Sequence, residues 1–298
     1  MSSTYAPRRP ARRTITTVRG LGCHLTHWGG RDGDPLVLLH GFMDCGETFQ
    51  FLVDAMPEGR RFVAPDWRGF GRSGWSAAGY WFPDYFADLE ALLDDLGLTS
   101  PVTLVGHSMG GNVAMMYAGL RPERVGAVVN LEGFGLPRTR PQQAPERYRE
   151  WLRQLRDPPA NPVYPSSEAL AALLRRRNPR LTAQRAAFIA HAWTEPCDGG
   201  GVRLRYDPAH KRVNPVLYRR EEAEECWRSI EAPVLLVLGG ESGHLQRLAE
   251  EGLPEALSRI VPTLEVRRIE GATHMLHHEQ PEALAQAVEA FLQGLPGA

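Results

Sequence analysis

The sequence predicts an α/β protein: a mostly parallel central sheet with helices on both faces and an inserted helical lid. Three observations lead there. Short apolar runs recur along the chain, each closing on polar or glycine-rich residues. The stretches between several of them repeat their apolar residues at helical spacing, and strands that alternate with helices build parallel sheets covered on both faces. That alternation breaks between about Leu136 and Ile230, where arginine- and proline-rich sequence shows helical patches and no convincing strand. With 298 residues, 43% of them hydrophobic, the chain can bury one large core and still carry such an insertion.

In chain order, residues 1–16 read as a flexible arginine-rich N-terminus. The "RRPARR" at Arg8 to Arg13 is followed by "TITTVRGLG", which is not the apolar segment that a twin-arginine export signal requires. Thr17 to Trp28 reads as an antiparallel lead-in. A first part of the core, 17–135, contains the buried strands "PLVLLHG", "RFVAPDW", "VTLVGHS" and "VGAVVNLEG". Within it, Asp84 to Leu96 has leucines and aromatics at three- and four-residue intervals, with Asp84 as the expected cap and Gly97 as the stop. The lid, 136–230, holds helical patches at "PERYREWLRQLR", "SSEALAALLRRR" and "TAQRAAFIAHAW". The second part of the core, 231–298, has strands "APVLLVLGG" and "LEVRRIEG" and a final helix "EQPEALAQAVEAFLQ".

Composition narrows the function classes. A formal net charge of −1 offers no general attraction for nucleic acid or an anionic membrane. No apolar stretch reaches the roughly 20 residues of a membrane span. Cys23, Cys45, Cys197 and Cys226 are scattered, without metal-like pairs, and read as free thiols. A cytoplasmic protein acting on a small molecule is the expectation.

The chemistry centres on Gly106-His107-Ser108-Met109-Gly110, a G-x-S-x-G pattern with a strand before it and a helix after it. Flanking glycines permit the tight strand-to-helix corner that exposes the serine hydroxyl, and the helix start behind it offers N–H groups to a developing oxyanion. A serine hydroxyl needs a base and an orienting group. Among ten histidines, His274 follows the last strand in "GATH", at the carboxyl end of a parallel strand and so on the rim expected for Ser108. His277 and His278 fall nearer the start of the following helix, and His107 reads as a structural neighbour of the nucleophile.

Taken together, "HGF" at His40 to Phe42, "DWRGFGRS" at Asp66 to Ser73, "GHSMGG" at Gly106 to Gly111 and "GATH" at Gly271 to His274 resemble the α/β-hydrolase fold superfamily over about Thr17 to Leu295. The resemblance implies an oxyanion hole made by the N–H groups of Phe42 and Met109. It also implies an acid after the strand that follows the lid, but there "VLGGESGH" carries Ser242 where an aspartate is usual, with Glu241 one position early. The other site used in the superfamily, as in haloalkane dehalogenase-like members, follows the strand after the nucleophile helix, where "VVNLEGFGLP" supplies Glu132. Glu132 is the assigned acid and Glu241 the alternative; "LEGFG" also resembles serine hydrolase-like proteins.

The expected function is hydrolysis of a carboxylic ester or related acyl bond through an acyl-enzyme on Ser108, chemistry that requires no metal or organic cofactor. Epoxide hydrolases and haloalkane dehalogenases of this superfamily use an aspartate where this chain has Ser108. An aminopeptidase, a carbon–carbon bond hydrolase or a non-catalytic ligand-binding member are the alternatives. "GFGRSG" is literally G-x-G-x-x-G, but no helix opens at its third glycine, which argues against a dinucleotide site; Asp66 and Arg68 are expected in local hydrogen bonds there. Of the lid arginines, Arg138, Arg140, Arg153 and Arg175 to Arg177 are expected mainly on solvated helix faces, paired with Glu146, Glu150 and Glu168, an anionic substrate being the alternative. Tyr148, Trp151, Phe188 and Trp193 are candidates for an apolar acyl pocket, with helix packing the other explanation.

Overall fold

The computed structural model describes residues 5–30, 33–244, 253–261 and 263–295. An eight-stranded sheet forms its centre: β1 (Arg12–Val18), β2 (Leu21–Trp28), β3 (Leu36–Leu39), β4 (Phe62–Pro65), β5 (Val102–His107), β6 (Val125–Leu131), β10 (Val234–Gly239) and β11 (Leu264–Ile269). Their spatial order is β1-β2-β4-β3-β5-β6-β10-β11. β1 and β2 pair antiparallel, β2 is antiparallel to β4, and every later pairing is parallel. The central strands are apolar without alternation, as strands covered on both faces must be; β3, β4 and β10 are buried at every position.

Helices cover the two faces. One core cluster packs α2 (Phe82–Asp95), α3 (Met109–Leu120) and α7 (Arg220–Arg228) on the sheet through Leu89, Leu93, Val113, Tyr117 and Trp227. The other packs α1 (Gln50–Ala55) and a terminal helix, Pro281–Gln293, through Leu52, Val53, Leu284 and Val288. Asp84 does not cap α2: the helix starts two residues earlier, after Trp81, and Asp84 lies in its first turn, where its charge still complements the helix dipole.

The segment between β6 and β10 contains α4 (Ala144–Arg156), α5 (Ser167–Arg177) and α6 (Ala183–Trp193), which coincide with the three helical patches of the sequence. It also contains a three-stranded sheet, β7 (Val163–Tyr164), β8 (Thr194–Pro196) and β9 (Val202–Leu204), in the order β7-β9-β8. The expectation of a lid without strands is corrected here. Strands of two or three residues show no readable alternation, and they hold because they pair with one another.

The arginine-rich start is more ordered than expected. Residues 1–4 lie outside the described residues, but the amides of Arg8 and Arg9 donate to Asp54 at 3.0 and 2.8 Å, and Arg12 already begins β1. An edge strand with exposed charged residues resists pairing with other chains, which reconciles the arginines with a strand. Among the described residues, no helix is long and apolar enough to cross a membrane.

Candidate active site

The sheet order decides what meets at its carboxyl rim. β5 delivers Ser108, its neighbour β3 delivers the His40-Gly41-Phe42 turn, β6 on the other side delivers Glu132, and β10 and β11 follow with Ser242 and His274. Residues 166 positions apart, Ser108 and His274, become hydrogen-bond partners because their strands end on the same edge.

The nucleophile corner is strained and tightly packed. Ser108 has φ +51° and ψ −111°, a conformation that an ordinary side chain avoids and that costs about 1–3 kcal/mol. Its amide donates to the Leu131 carbonyl at 2.8 Å, and its own carbonyl accepts from Asn112 at 2.9 Å in the first turn of α3. The flanking glycines are needed for space: a Cβ on Gly106 would stand 2.3 Å from the Gly110 carbonyl oxygen, and one on Gly110 would stand 2.0 Å from that of Leu39. Gly41 is similarly confined, since a Cβ there would lie 3.3 Å from the Ser108 Cβ. The turn that carries Phe42 is thereby pressed against Ser108. Met109 opens α3, so its amide belongs to a helix N-terminus. His40 fixes the turn from below: its Nε2 accepts from the Trp67 amide at 2.9 Å, which leaves Nδ1–H to donate to the Gly41 carbonyl at 2.7 Å.

His274 Nε2 lies 3.0 Å from Ser108 Oγ, and its Nδ1 lies 2.7 Å from Glu132 Oε2. A carboxylate only accepts, so Nδ1 carries the proton and Nε2 turns its lone pair to the Ser108 hydroxyl. Glu132 itself is 2% exposed and sits at φ +57°, which swings its side chain off the end of β6. Its Oε1 accepts from the Gly239 amide at 2.7 Å, and its Oε2 also accepts from Ser242 Oγ at 2.8 Å. The carboxylate is therefore oriented by the strand end where an aspartate would otherwise stand. Glu241 is elsewhere: it is exposed and paired with Arg180.

Residues to which the sequence analysis gave no role complete the support. Ser242 and Gly239 hold Glu132, and the sole signal was the missing aspartate itself. Glu279 accepts from the Thr273 amide and from Asn178 Nδ2, both at 2.6 Å, so it braces the "GATH" turn against α5. The His244 ring stands edge-on to His274 at 4.6 Å between centroids. His107 is structural, as expected: its buried Nε2 lies 2.8 Å from the His274 carbonyl, and burial pushes its pKa well below the usual histidine value.

The other expectations divide. In "DWRGFGRS", Asp66 accepts locally from the Arg72 amide at 2.9 Å, and its other partners are distant in sequence: the Gly46 amide at 2.7 Å and His24 Nδ1 at 2.9 Å. Arg68 does not pair locally; it donates to Asp88 of α2 at 2.6 Å. Arg153 pairs with Glu150 and Arg149 with Glu146, while Arg138 pairs with Glu221 and Glu224, and Glu168 is held beside Ser166. Tyr148 is 48% exposed, Phe188 packs edge-on to Tyr5 and Phe51 within a cluster of α5 and α6, and Trp193 donates to Asp44 Oδ1 at 2.7 Å. Phe188 and Trp193 are placed by packing against that helix cluster, whereas Tyr148 is open to solvent.

The family model of the alpha/beta hydrolase fold matches residues 34–281. A serine hydrolase-like protein of Danio rerio is 30% identical over 275 residues, covering 89% of this chain and 83% of its own. The 2-(acetamidomethylene)succinate hydrolase of Mesorhizobium japonicum is 26% identical, with 87% and 88% covered. Among solved structures, the thioesterase domain from the curacin biosynthetic pathway superposes with a TM-score of 0.82 at 26% identity, covering 94% of this chain and 99% of that one. With a match over most of its length and relatives named as hydrolases, this chain belongs to the alpha/beta hydrolase fold family.

Proposed function

We propose that the protein is a serine hydrolase that cleaves a carboxylic ester or related acyl bond of a small molecule through Ser108, His274 and Glu132. The observation that carries this reading is the unbroken hydrogen-bond line from Ser108 Oγ through both ring nitrogens of His274 to a buried carboxylate, at 3.0 and 2.7 Å. In the first half-reaction His274 takes the Ser108 proton as the oxygen attacks the substrate carbonyl. The tetrahedral oxyanion is held by the N–H groups of Phe42 and Met109, and the leaving group departs with the proton from His274. Water then attacks the acyl carbonyl as His274 takes its proton, and the new tetrahedral intermediate collapses as His274 returns that proton to Ser108 Oγ, releasing the acid. Glu132 keeps the ring in the required tautomer and stabilises the imidazolium that each step creates.

Residues 136–230 act in this reading as a lid over the rim. Support comes from the contacts of that segment with the turn beside Ser108, including the Trp193 bond to Asp44. A cytoplasmic setting fits the four unpaired cysteines.

Labelling with a fluorophosphonate tests the proposal, with the site located by peptide mass spectrometry. Wild type should label on Ser108, Ser108→Ala should not, Glu132→Gln should label far more slowly, and Glu241→Gln should label as wild type does. Absence of label on Ser108 would overturn the hydrolase mechanism in favour of a binding protein. Label without turnover of any ester, thioester, aminoacyl amide or diketo acid would favour a member that has lost its activity.

A further inference from the structure

Beneath the catalytic rim lies a group of polar side chains that the proposed mechanism leaves unused. Asp44, His277 and His278 are 3%, 0% and 1% exposed, and His107 is 2% exposed. Asp44 Oδ1 is fully engaged, accepting from the Cys45 amide and Thr48 Oγ1 at 2.8 Å and from Trp193 Nε1 at 2.7 Å. Its Oδ2 has no hydrogen bond, and faces His277 Nε2 at 3.5 Å and His278 Nε2 at 3.8 Å. His107 spends Nε2 on the His274 carbonyl and keeps Nδ1 unpartnered. Both nitrogens of His277 and Nε2 of His278 are unpartnered as well. The three rings crowd together, with His277 centred 4.3 Å from His107 and 3.9 Å from His278. Buried polar atoms left unpaired cost about 1–3 kcal/mol each, so a cluster of them calls for a common partner.

We infer that Asp44, His107 and His277, with His278 beside them, form a buried structural site for a divalent transition metal of the zinc type. One ligand atom from each of the first three lies within 4.8 Å of the other two. Metal bonds of about 2.0–2.2 Å in a tetrahedron place ligand atoms about 3.4 Å apart, close to the 3.5 Å between Asp44 and His277, and the site requires His107 Nδ1 to close from within 4.8 Å to that spacing. Imidazoles with one carboxylate suit zinc, and do not suit calcium or magnesium, which take oxygen. Two of the three ligands have the outer contacts a metal site needs: His107 sends its second N–H to a backbone carbonyl, and three donors fix the Asp44 carboxylate, while His277 Nδ1 has no such partner. The ion joins three chain segments, those carrying Phe42, Ser108 and His274, and takes no part in the chemistry.

Because the ligands are buried, the ion enters as the chain folds, and refolding is the test. The full chain is unfolded with a chelator, refolded with or without zinc chloride, passed into metal-free buffer and assayed for metal and melting temperature. Zinc-refolded wild type should retain about one equivalent and melt higher than the metal-free form. Asp44→Asn and His277→Gln should retain less than about a tenth of an equivalent, whereas Glu241→Gln should match wild type. Refolding wild type with cobalt should give the visible bands of a tetrahedral ion, a readout that stands even where the variants fail to fold. Wild type that retains no zinc, or cobalt without those bands, would overturn the site and leave a cluster that shares a proton or a water. Neither result depends on Ser108 labelling.

Discussion

In the proposed triad Glu132 is the residue on which the site turns, taking from the end of β6 the part that an aspartate after β10 would otherwise play. Three donors meet its carboxylate, from Gly239, Ser242 and His274. Ser242→Ala removes one hydrogen bond to the ionised carboxylate, and kcat/KM for an ester should fall about tenfold or more. Glu132→Gln removes the charge and the tautomer control, and should cost about three to four powers of ten. Since Ser242 Oγ is 2.8 Å from that carboxylate, an aspartate at 242 can take over its task. The double variant Glu132→Gln, Ser242→Asp should therefore recover at least about tenfold over Glu132→Gln alone. Steady-state kinetics with circular dichroism as the folding control decides this; a double variant no better than the single one would mean that position 242 does not reach His274. The position of Glu132 after an apolar strand was legible in the sequence. Its bond to Ser242 was not, because that contact joins residues 110 apart through a strand pairing that no local pattern encodes.

At the scale of elements, the loop Gly69 to Gly74 shows why a glycine pattern alone misleads. Its glycines yield space to side chains of this protein: a Cβ on Gly71 would stand 2.2 Å from Asp66 Oδ2, and one on Gly69 would stand 2.3 Å from the Tyr80 hydroxyl and 2.5 Å from His210 Nε2. Gly69→Ala combines that overlap with φ +74°, and should destabilise by about 2–4 kcal/mol. Gly79→Ala has a similar φ of +84° but meets nothing within 4 Å, and should cost only about 1 kcal/mol. Urea midpoints for the two variants separate packing from backbone strain, and equal losses would show that Tyr80 and His210 move aside freely. The same scale explains what the sequence withheld. Strands β3 to β6 were readable because both faces are buried and the apolar runs are continuous, whereas β7 to β9 are too short for any period. β1 was hidden by its arginines, which are tolerable on an edge strand.

For the whole molecule, the decisive junction is between the segment 136–230 and the sheet, and one histidine makes it sensitive to acid. The His210 ring is stacked between Tyr80 and Phe70 at centroid distances of 3.5 and 3.8 Å, and its Nε2 lies 3.1 Å from the Arg68 carbonyl. Around it, the Asp207 amide donates to the Gly69 carbonyl at 2.8 Å, and the Tyr80 hydroxyl donates to Asp207 at 2.7 Å. Burial outweighs the attraction of Asp207 and lowers the His210 pKa to about 4. An unfolded histidine titrates near 6.5, so between these values the unfolded chain takes up a proton that the stacked ring refuses. Stability is therefore intact above pH 6.5, is lost as pH falls from there towards 4, and levels off below, with a total of about 3 kcal/mol from this residue. His27 is lowered to about 4 for the same reason, first by burial and then by Arg12 and Arg61, so acid sensitivity alone would not identify the residue responsible. His210→Phe keeps a ring in the stack and removes the titration. Between about pH 7 and pH 4.5 the wild type should lose about 2–3 kcal/mol more than this variant in urea unfolding. Equal losses would place the acid-sensitive step away from this junction, and a variant already unstable at pH 7 would show that the bond to Arg68, not the stack, holds the two parts together.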